Sequence, residues 1–321
     1  MNYSRDEILT VAFYNVENLF DTIDDPTTND DKYTPSGERN WTYKRYYRKL
    51  NKISYVISQI GKTSSSETPI LVGLAEVENT KVLDDLVNQK SLHKCGYRYV
   101  HYESKDERGI DTALLYRDRH FSPVSSERMQ FSFLDEEGNF DHTRDVLLVS
   151  GFMNDELIHV IVNHWPSRRE GEEESKSKRI KAADVVKEAI DKITSKDPNA
   201  KIIIMGDFND NPTSESVKNH LVSYDFFNPM LPLYQKGLGT STFQKEWHLF
   251  DQIILSNNFK DIETNHQFMS ANIFNKKWLK THKGKHKGSP FRTYIGPWYK
   301  GGFSDHFPVY VSFVKKIKTS F

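Results

Sequence analysis

Carboxylates, amides and histidines close apolar stretches at several points of this chain. Those side chains bind hard cations, orient water and move protons. Asn15 and Glu17 follow the apolar run 8–14, Glu76 follows run 70–75, and His164 follows run 157–162. Asp207 and Asn209 follow run 202–205 in Met-Gly-Asp-Phe-Asn, and Asp305 and His306 precede run 308–313. Singly, each has an ordinary reading: Glu76 as a solvated strand-end acid, Asp207-Phe-Asn209 as a polar turn before Pro212, His164 as a hydrogen-bonded structural histidine. Together they make a set rich in oxygen donors. The only cysteine, Cys95, excludes an internal disulfide and a cysteine-rich zinc site. Oxygen donors without a Cys–His cluster point to a hard divalent cation, Mg²⁺ or Ca²⁺.

These residues need a scaffold that brings distant strand ends together. The runs 8–14, 70–75, 112–116, 146–152, 157–162, 202–205, 249–255 and 308–313 are short, bounded by polar or turn residues, and rich in β-branched and aromatic side chains. They read as strands, several of them apolar at consecutive positions and so buried on both faces. Leu50, Ile53, Val56, Ile57 and Ile60 recur at helical spacing after the basic stretch 44–49, with Gly61 as a stop. Val82, Leu83, Leu86 and Val87 mark a second helix, residues 174–193 a third, and a short fourth starts at Pro212. Early strands alternate with helices, whereas runs 112–116, 146–152 and 157–162 follow one another without one. The expectation is one α/β domain over 1–321, with mixed sheets packed together and helices outside.

Composition narrows the function. Lys+Arg and Asp+Glu both number 44, so the formal net charge is zero and coating of nucleic acid by bulk charge is excluded. A local basic groove remains compatible. No apolar run approaches the roughly 20 residues of a transmembrane helix, and residues 1–7 lack the apolar core of a signal peptide. A cytoplasmic enzyme acting as a monomer is expected, or a secreted or periplasmic one if the chain is a processed form.

Six motifs occur in order: Phe13-Tyr-Asn-Val-Glu-Asn-Leu-Phe-Asp21, Leu74-Ala-Glu-Val-Glu78, Asn163-His-Trp-Pro-Ser167, Gly206-Asp-Phe-Asn209, Phe250-Asp-Gln-Ile253 and Ser304-Asp-His306. On these residues the chain resembles the endonuclease/exonuclease/phosphatase superfamily, from about residue 8 to 315. The resemblance implies a four-layer α/β sandwich, with two mixed central β-sheets flanked by helices and a metal-dependent phosphoester-cleaving site at one edge. It also implies that Asn15 and Glu76 hold the principal metal, Mg²⁺ with Mn²⁺ or Ca²⁺ as alternatives, with Asp305 beside it. Glu17, two residues beyond Asn15, is expected to point the same way and sit close to the metal. By the same resemblance His306 is the general base, Asp251 fixes its tautomer, and Asp207 and Asn209 orient the nucleophile and a phosphate oxygen. His164 contacts the phosphate or protonates the leaving group, and Asp111 is a candidate partner for it. A histidine at this position is unlike the abasic-site endonucleases, which carry asparagine.

Basic residues beside these motifs are candidates for holding substrate: Arg108, one arginine of Ser167-Arg-Arg169 (Arg168 is taken), and Lys285. Lys285 belongs to residues 271–304, which hold eight Lys/Arg, no Asp or Glu, and interleaved aromatics. This composition suits a loop that follows a phosphate backbone, and equally a solvated surface excursion. The leading expectation is a metal-dependent nuclease cleaving DNA or RNA by in-line attack of water. The alternatives are a phosphatase or phosphodiesterase on inositol phosphates, phospholipid headgroups or other small phosphoesters, and a non-catalytic binding protein on the same fold.

Overall fold

The computed structural model describes residues 7–134, 138, 140–222, 225–243, 246–261 and 264–315. Two six-stranded sheets are built from β1 (Ile8–Leu19), β2 (Leu71–Val77), β3 (Tyr97–His101), β4 (Asp111–Arg117), β5 (Phe121–Met129), β6 (Val146–Met153), β7 (Glu156–His164), β8 (Lys201–Asp207), β9 (Phe226–Phe227), β10 (Asp251–Ser256), β11 (His266–Ile273) and β12 (Val309–Lys315). Sheet I runs β11-β12-β1-β2-β4-β3 and sheet II runs β9-β10-β8-β7-β6-β5. Each sheet holds one parallel pair, β1 with β2 and β7 with β8, and its other neighbours are antiparallel. A parallel pair needs a crossover. Helix α1 (Tyr43–Gln59) lies between β1 and β2, and α3 (Lys176–Thr194) lies between β7 and β8.

Alternation of side chains separates three apolar layers. Val11 and Phe13 of β1 meet Val160 and Val162 of β7, Ile203 and Met205 of β8, and Ile253 and Leu255 of β10 in the core between the sheets. Gly73 of β2 lets the sheets approach closely, since a Cβ there would stand 2.5 Å from Met205 Sδ. On the other face of sheet I, Ala12, Tyr14, Val72 and Leu74 pack against α1 and α2 (Thr80–Val87). On the outer face of sheet II, Ile161, Ile202 and Ile204 pack against Ala183, Val186 and Ile190 of α3. The result is a helix–sheet–sheet–helix sandwich, as the motifs imply.

The helices start and stop for local reasons. Asn79 caps α2 by accepting from Val82 N at 2.9 Å. Gly61, at φ 76°, takes the left-handed turn after α1. Helix α1 starts seven residues earlier than the apolar spacing predicts, because Tyr46 and Lys49 are buried too. The segment after Pro212 gives only Glu215–Lys218 as helix. Strands β3, β5 and β11 have no counterpart among the predicted runs, and all three lie at sheet edges, where polar residues interrupt the apolar pattern. No helix among the described residues is long and apolar enough to cross a membrane.

Candidate active site

Strand register alone positions the sheet II side. Asp207, the last residue of β8, pairs with His164 at the end of β7 and with Asp251 at the start of β10. All three continue the inward-facing sets of their strands, so they share the face toward sheet I. Asn15 continues the inward set Val11 and Phe13 of β1, and its Nδ2 donates to Asp207 Oδ2 at 2.9 Å.

Glu76 arrives by a different route. Alternation would send it to the helix face with Val72 and Leu74. The register instead shifts between Ala75 and Val77, Glu76 takes φ 67°, and Val77 joins the helix-side layer. This bulge re-aims the carboxylate. Glu76 Oε1 lies 3.4 Å from Asn15 Nδ2 and 3.8 Å from His164 Nε2, and Asn18 N donates to Oε2 at 2.7 Å.

Glu17 departs from the expectation that it points with Asn15. Glu17 and Asn18 have φ 54° and 48°, and Glu17 N folds back onto Asn15 Oδ1 at 2.9 Å, so extended geometry ends there. The Glu17 carboxylate accepts from Thr293 N at 2.6 Å and pairs with Lys49 Nζ at 3.6 Å and Arg292 Nε at 3.4 Å. Arg292 Nη2 also takes Asp305 Oδ2 at 2.7 Å. Arg292 therefore bridges Glu17 and Asp305. The structure gathers the Glu76 and Asp207 carboxylates around the Asn15 amide nitrogen.

The surroundings push the two histidines in opposite directions. His306 Nδ1 lies 2.6 Å from Asp251 Oδ2, and its Nε2 is 3.9 Å from Asp207 Oδ2. Burial pulls His306 down, but Asp251 and Asp207 outweigh it and hold the imidazole well above the ordinary histidine range. His164 Nε2 also stands 3.9 Å from Asp207 Oδ2. Burial, with Arg144, Arg108 and His306 nearby, pushes it well below that range, so it is neutral. Burial raises Asp207 to about 6, with Asp251 adding to the rise and His306 opposing it. Asp251 and Asp207 thus favour the protonated form of His306, and Asp207 Oδ2 lies 3.9 Å from Nε2 of both rings.

The donor set suits a hard divalent cation. Glu76 and Asp207 converge from opposite sheets on one neutral amide, the histidine beside them is neutral, and Arg108 comes only within 3.8 Å of Glu76. The two carboxylates match Mg²⁺, Mn²⁺ or Ca²⁺, while Asn15 turns its Nδ2 to them and its Oδ1 accepts from Glu17 N. Asp207, Asp251 and His306 also present ligand atoms within 4.8 Å of one another. The short Asp251–His306 hydrogen bond occupies that trio, so the Glu76–Asp207 pair is the better metal site.

The remaining candidates sort by their partners. Arg108 reaches the site, donating to Asn18 Oδ1 at 3.0 Å. Arg168 does not, because its guanidinium is bound to Asn209 O, Asp210 and Glu172. Its neighbour Arg169 is exposed and lines cavities on both sides. Lys285 is an exposed turn residue that lines neither cavity. Asp111 accepts from Ser104 N at 3.1 Å and makes no bond to His164, whose Nδ1 has no partner. Asn209 donates to Trp165 O at 2.9 Å, tying the ends of β7 and β8 together. Sequence reasoning missed Asn18, Lys49 and Arg144. Arg144 donates to Trp165 O and pairs with Asp106 at 3.1 Å behind His164, and nothing in its sequence neighbourhood announces that role.

Residues 10–316 match the model of the Endonuclease/Exonuclease/phosphatase family, and the chain belongs to that family. Its members are typically divalent-metal-dependent phosphoester hydrolases. Among solved structures it is similar to a humanized D. rerio TDP2, with 17% identity, TM-score 0.58, and 96% and 99% of the two chains covered. D. rerio TDP2 complexed with single-strand DNA product gives 15%, 0.59, and 96% and 99%. A Bacteroides thetaiotaomicron mannosyl-6-phosphatase gives 17%, 0.55, and 95% and 99%. At these identities the likeness establishes the fold. No curated protein matches significantly.

Proposed function

We propose that this protein is a divalent-metal-dependent phosphodiesterase that cleaves nucleic acid by in-line attack of water. The observation that carries this reading is Asp207 standing 3.9 Å from Nε2 of both His164 and His306 while hydrogen-bonded to Asn15. A phosphoryl group entering that space would meet a base, a neutral imidazole and an imidazolium together. Asp207, oriented by Asn15 Nδ2, takes the proton of the attacking water. Asp251 fixes the His306 ring through Nδ1, leaving Nε2–H to donate to charge developing on the phosphoryl oxygens. Neutral His164 binds a non-bridging oxygen from the other side. Glu76 and Asp207 would hold a divalent cation, which would supply Lewis-acid neutralisation of the same oxygens when bound.

The nucleic-acid part of the reading rests on the surroundings. Arg108, Arg169, Arg292, Lys32, Tyr33 and Tyr294 line an open cavity next to this cluster, a mix of cations and aromatic faces that suits phosphates and bases. That D. rerio TDP2 is seen with a single-strand DNA product agrees with it. The mannosyl-6-phosphatase neighbour favours a second reading, a phosphomonoesterase on a small sugar phosphate. Incubation of wild type and His306→Ala with supercoiled plasmid, a single-stranded oligonucleotide and mannose 6-phosphate, with and without Mg²⁺, separates the two. Metal-dependent nucleic-acid cleavage lost in the variant is the expected result. Release of phosphate from mannose 6-phosphate alone would overturn it.

A further inference from the structure

We propose that the cavity beside the catalytic cluster is a subsite for a second phosphate group of the substrate, with Arg39 and Arg169 as its anchors. The inference rests on the reading of the neighbouring cluster as a phosphoester-cleaving site. The cavity encloses about 570 Å³, within the range of small-ligand pockets. It adjoins the cluster through Arg108 and Asn18, since Asn18 joins Arg108 at 3.0 Å to Glu76 at 2.7 Å.

Its charge is uncompensated. The lining holds Lys32, Arg39, Arg108, Arg169 and Arg292 against two acids, Glu17 and Asp31. Glu17 is already paired with Lys49 and Arg292, and Asp31 is exposed to solvent. Arg39 has no carboxylate partner. Its guanidinium lies over the Tyr294 ring at 5.0 Å and donates to Gly296 O, and its buried Nε has no hydrogen-bond acceptor. Arg169 makes no ion pair among the described residues. Planar guanidinium forks with spare donors match phosphate oxygens.

The cavity on the opposite flank gives the contrast. It measures about 200 Å³ and is also lined by basic residues, but Arg144 is paired with Asp106 at 3.1 Å and Lys178 with Asp141 at 2.9 Å. Arg39 lines only the larger cavity while Arg169 borders both, so the two spare guanidinium groups meet only on that flank, where they attract a further anion. A neighbouring phosphate of a nucleic-acid strand and a second phosphate on a small sugar share this chemistry.

Calorimetric titration in Mg²⁺ buffer tests it without requiring turnover. Thymidine 3′,5′-bisphosphate is compared with thymidine 5′-monophosphate, and fructose 1,6-bisphosphate with fructose 6-phosphate, on wild type, Arg39→Ala and Arg169→Ala. A charge-assisted hydrogen bond predicts a preference for bisphosphate of roughly tenfold or more. That preference should fall to within about threefold in both variants. A preference confined to the nucleotide pair supports the subsite and assigns it to a strand phosphate, and one confined to the sugar pair assigns it to a small bisphosphate. Equal affinity for mono- and bisphosphates in wild type overturns the proposal, as does a preference that survives both substitutions. Arg169 is exposed and unpaired, so Arg169→Ala remains a fair test if Arg39→Ala fails to fold. If no phosphoester is hydrolysed yet the bisphosphate preference stands, the hydrolase reading fails and the subsite does not.

Discussion

The two sheets deliver their site residues by opposite means. Sheet II uses unbroken register: His164, Asp207 and Asp251 are cross-strand neighbours and need no irregularity. Sheet I uses broken register: Glu17, Asn18 and Glu76 all have positive φ, and both affected ladders shift. Non-glycine residues there cost on the order of 1–3 kcal/mol each. The cations beside Glu17 and the Asn18 N–H on Glu76 offset that cost. Regular strand ends build a rigid proton-handling group whose Asp207 also faces the proposed cation, and the kinked end of β2 aims Glu76 at the same place. The two sides should therefore fail differently. Asp207→Asn or His306→Ala should lower kcat by about 10²–10⁴-fold, and the His306→Ala loss should not be rescued by added Mg²⁺. Their effects, and that of Asp251→Asn, should be far from additive, because the three act as one unit. Glu76→Gln should weaken metal affinity by at least the roughly 10–100-fold that lesser changes near a metal produce. Its activity should recover as Mg²⁺ is raised. Recovery of His306→Ala by Mg²⁺ to the same degree would erase the distinction.

Sheet I also carries a buried ionic support, as sheet II does in the Arg179–Asp210 pair at 2.9 Å. Lys49 is 2% exposed, donates to Glu17 O at 2.8 Å and to Thr293 Oγ1, and pairs with the Glu17 carboxylate. Lys49→Met strands the Glu17 carboxylate and should destabilise the fold by about 3–5 kcal/mol in denaturant unfolding. Lys49→Met/Glu17→Gln should regain part of that loss, because removing both charges is milder than orphaning one. A single variant as stable as wild type would mean that Arg292 alone satisfies Glu17.

Not every acid at this end of sheet I belongs to the chemistry. Burial raises Asp111 to about 7, with Asp106 and Asp145 adding to the rise and Ser104 opposing it. A raised carboxyl pKa means that the folded state holds a proton that the unfolded state releases above about 3.8. Stability from this group is complete below that pH and is lost as pH rises through about 7. Asp111→Asn keeps an acceptor for Ser104 N and should flatten that slope in urea midpoints measured between pH 4 and 8. A variant with the wild-type slope would place the titrating group elsewhere.

What the sequence made legible follows the same division. On sheet II His164 and Asp207 were readable because each closes an apolar run, whereas Asp251 lies inside run 249–255 and was named only through the family resemblance. Asn15 was readable because it too closes an apolar run. Glu17 was misread because a two-residue period was carried one step past a kink that no residue type announces. Arg292 was noticed as one cation among eight, but its hold on Glu17 and Asp305 spans 275 and 13 residues of chain and has no local pattern. Edge strands β3, β5 and β11 were lost because half-exposed strands dilute the apolar signal.

The smallest expected effect tests whether composition or placement governs the basic segment 271–304. By composition the whole segment is a phosphate track. By placement its cations have different duties. Lys276 and Lys280 lie over Phe274 and Phe307 at 5.7 and 5.8 Å, Arg292 faces the site, and Lys285 projects from an exposed turn. Lys285→Ala should change kcat/KM on an oligonucleotide by less than about twofold and leave the slope of log KM against log salt unaltered. A cation that neutralises a phosphate would instead reduce that slope by about one when removed. If Lys285→Ala does so, the substrate path extends beyond the cavity between Arg39 and Arg169 and along the turn. The sheet I flank would then be a track and not a pocket.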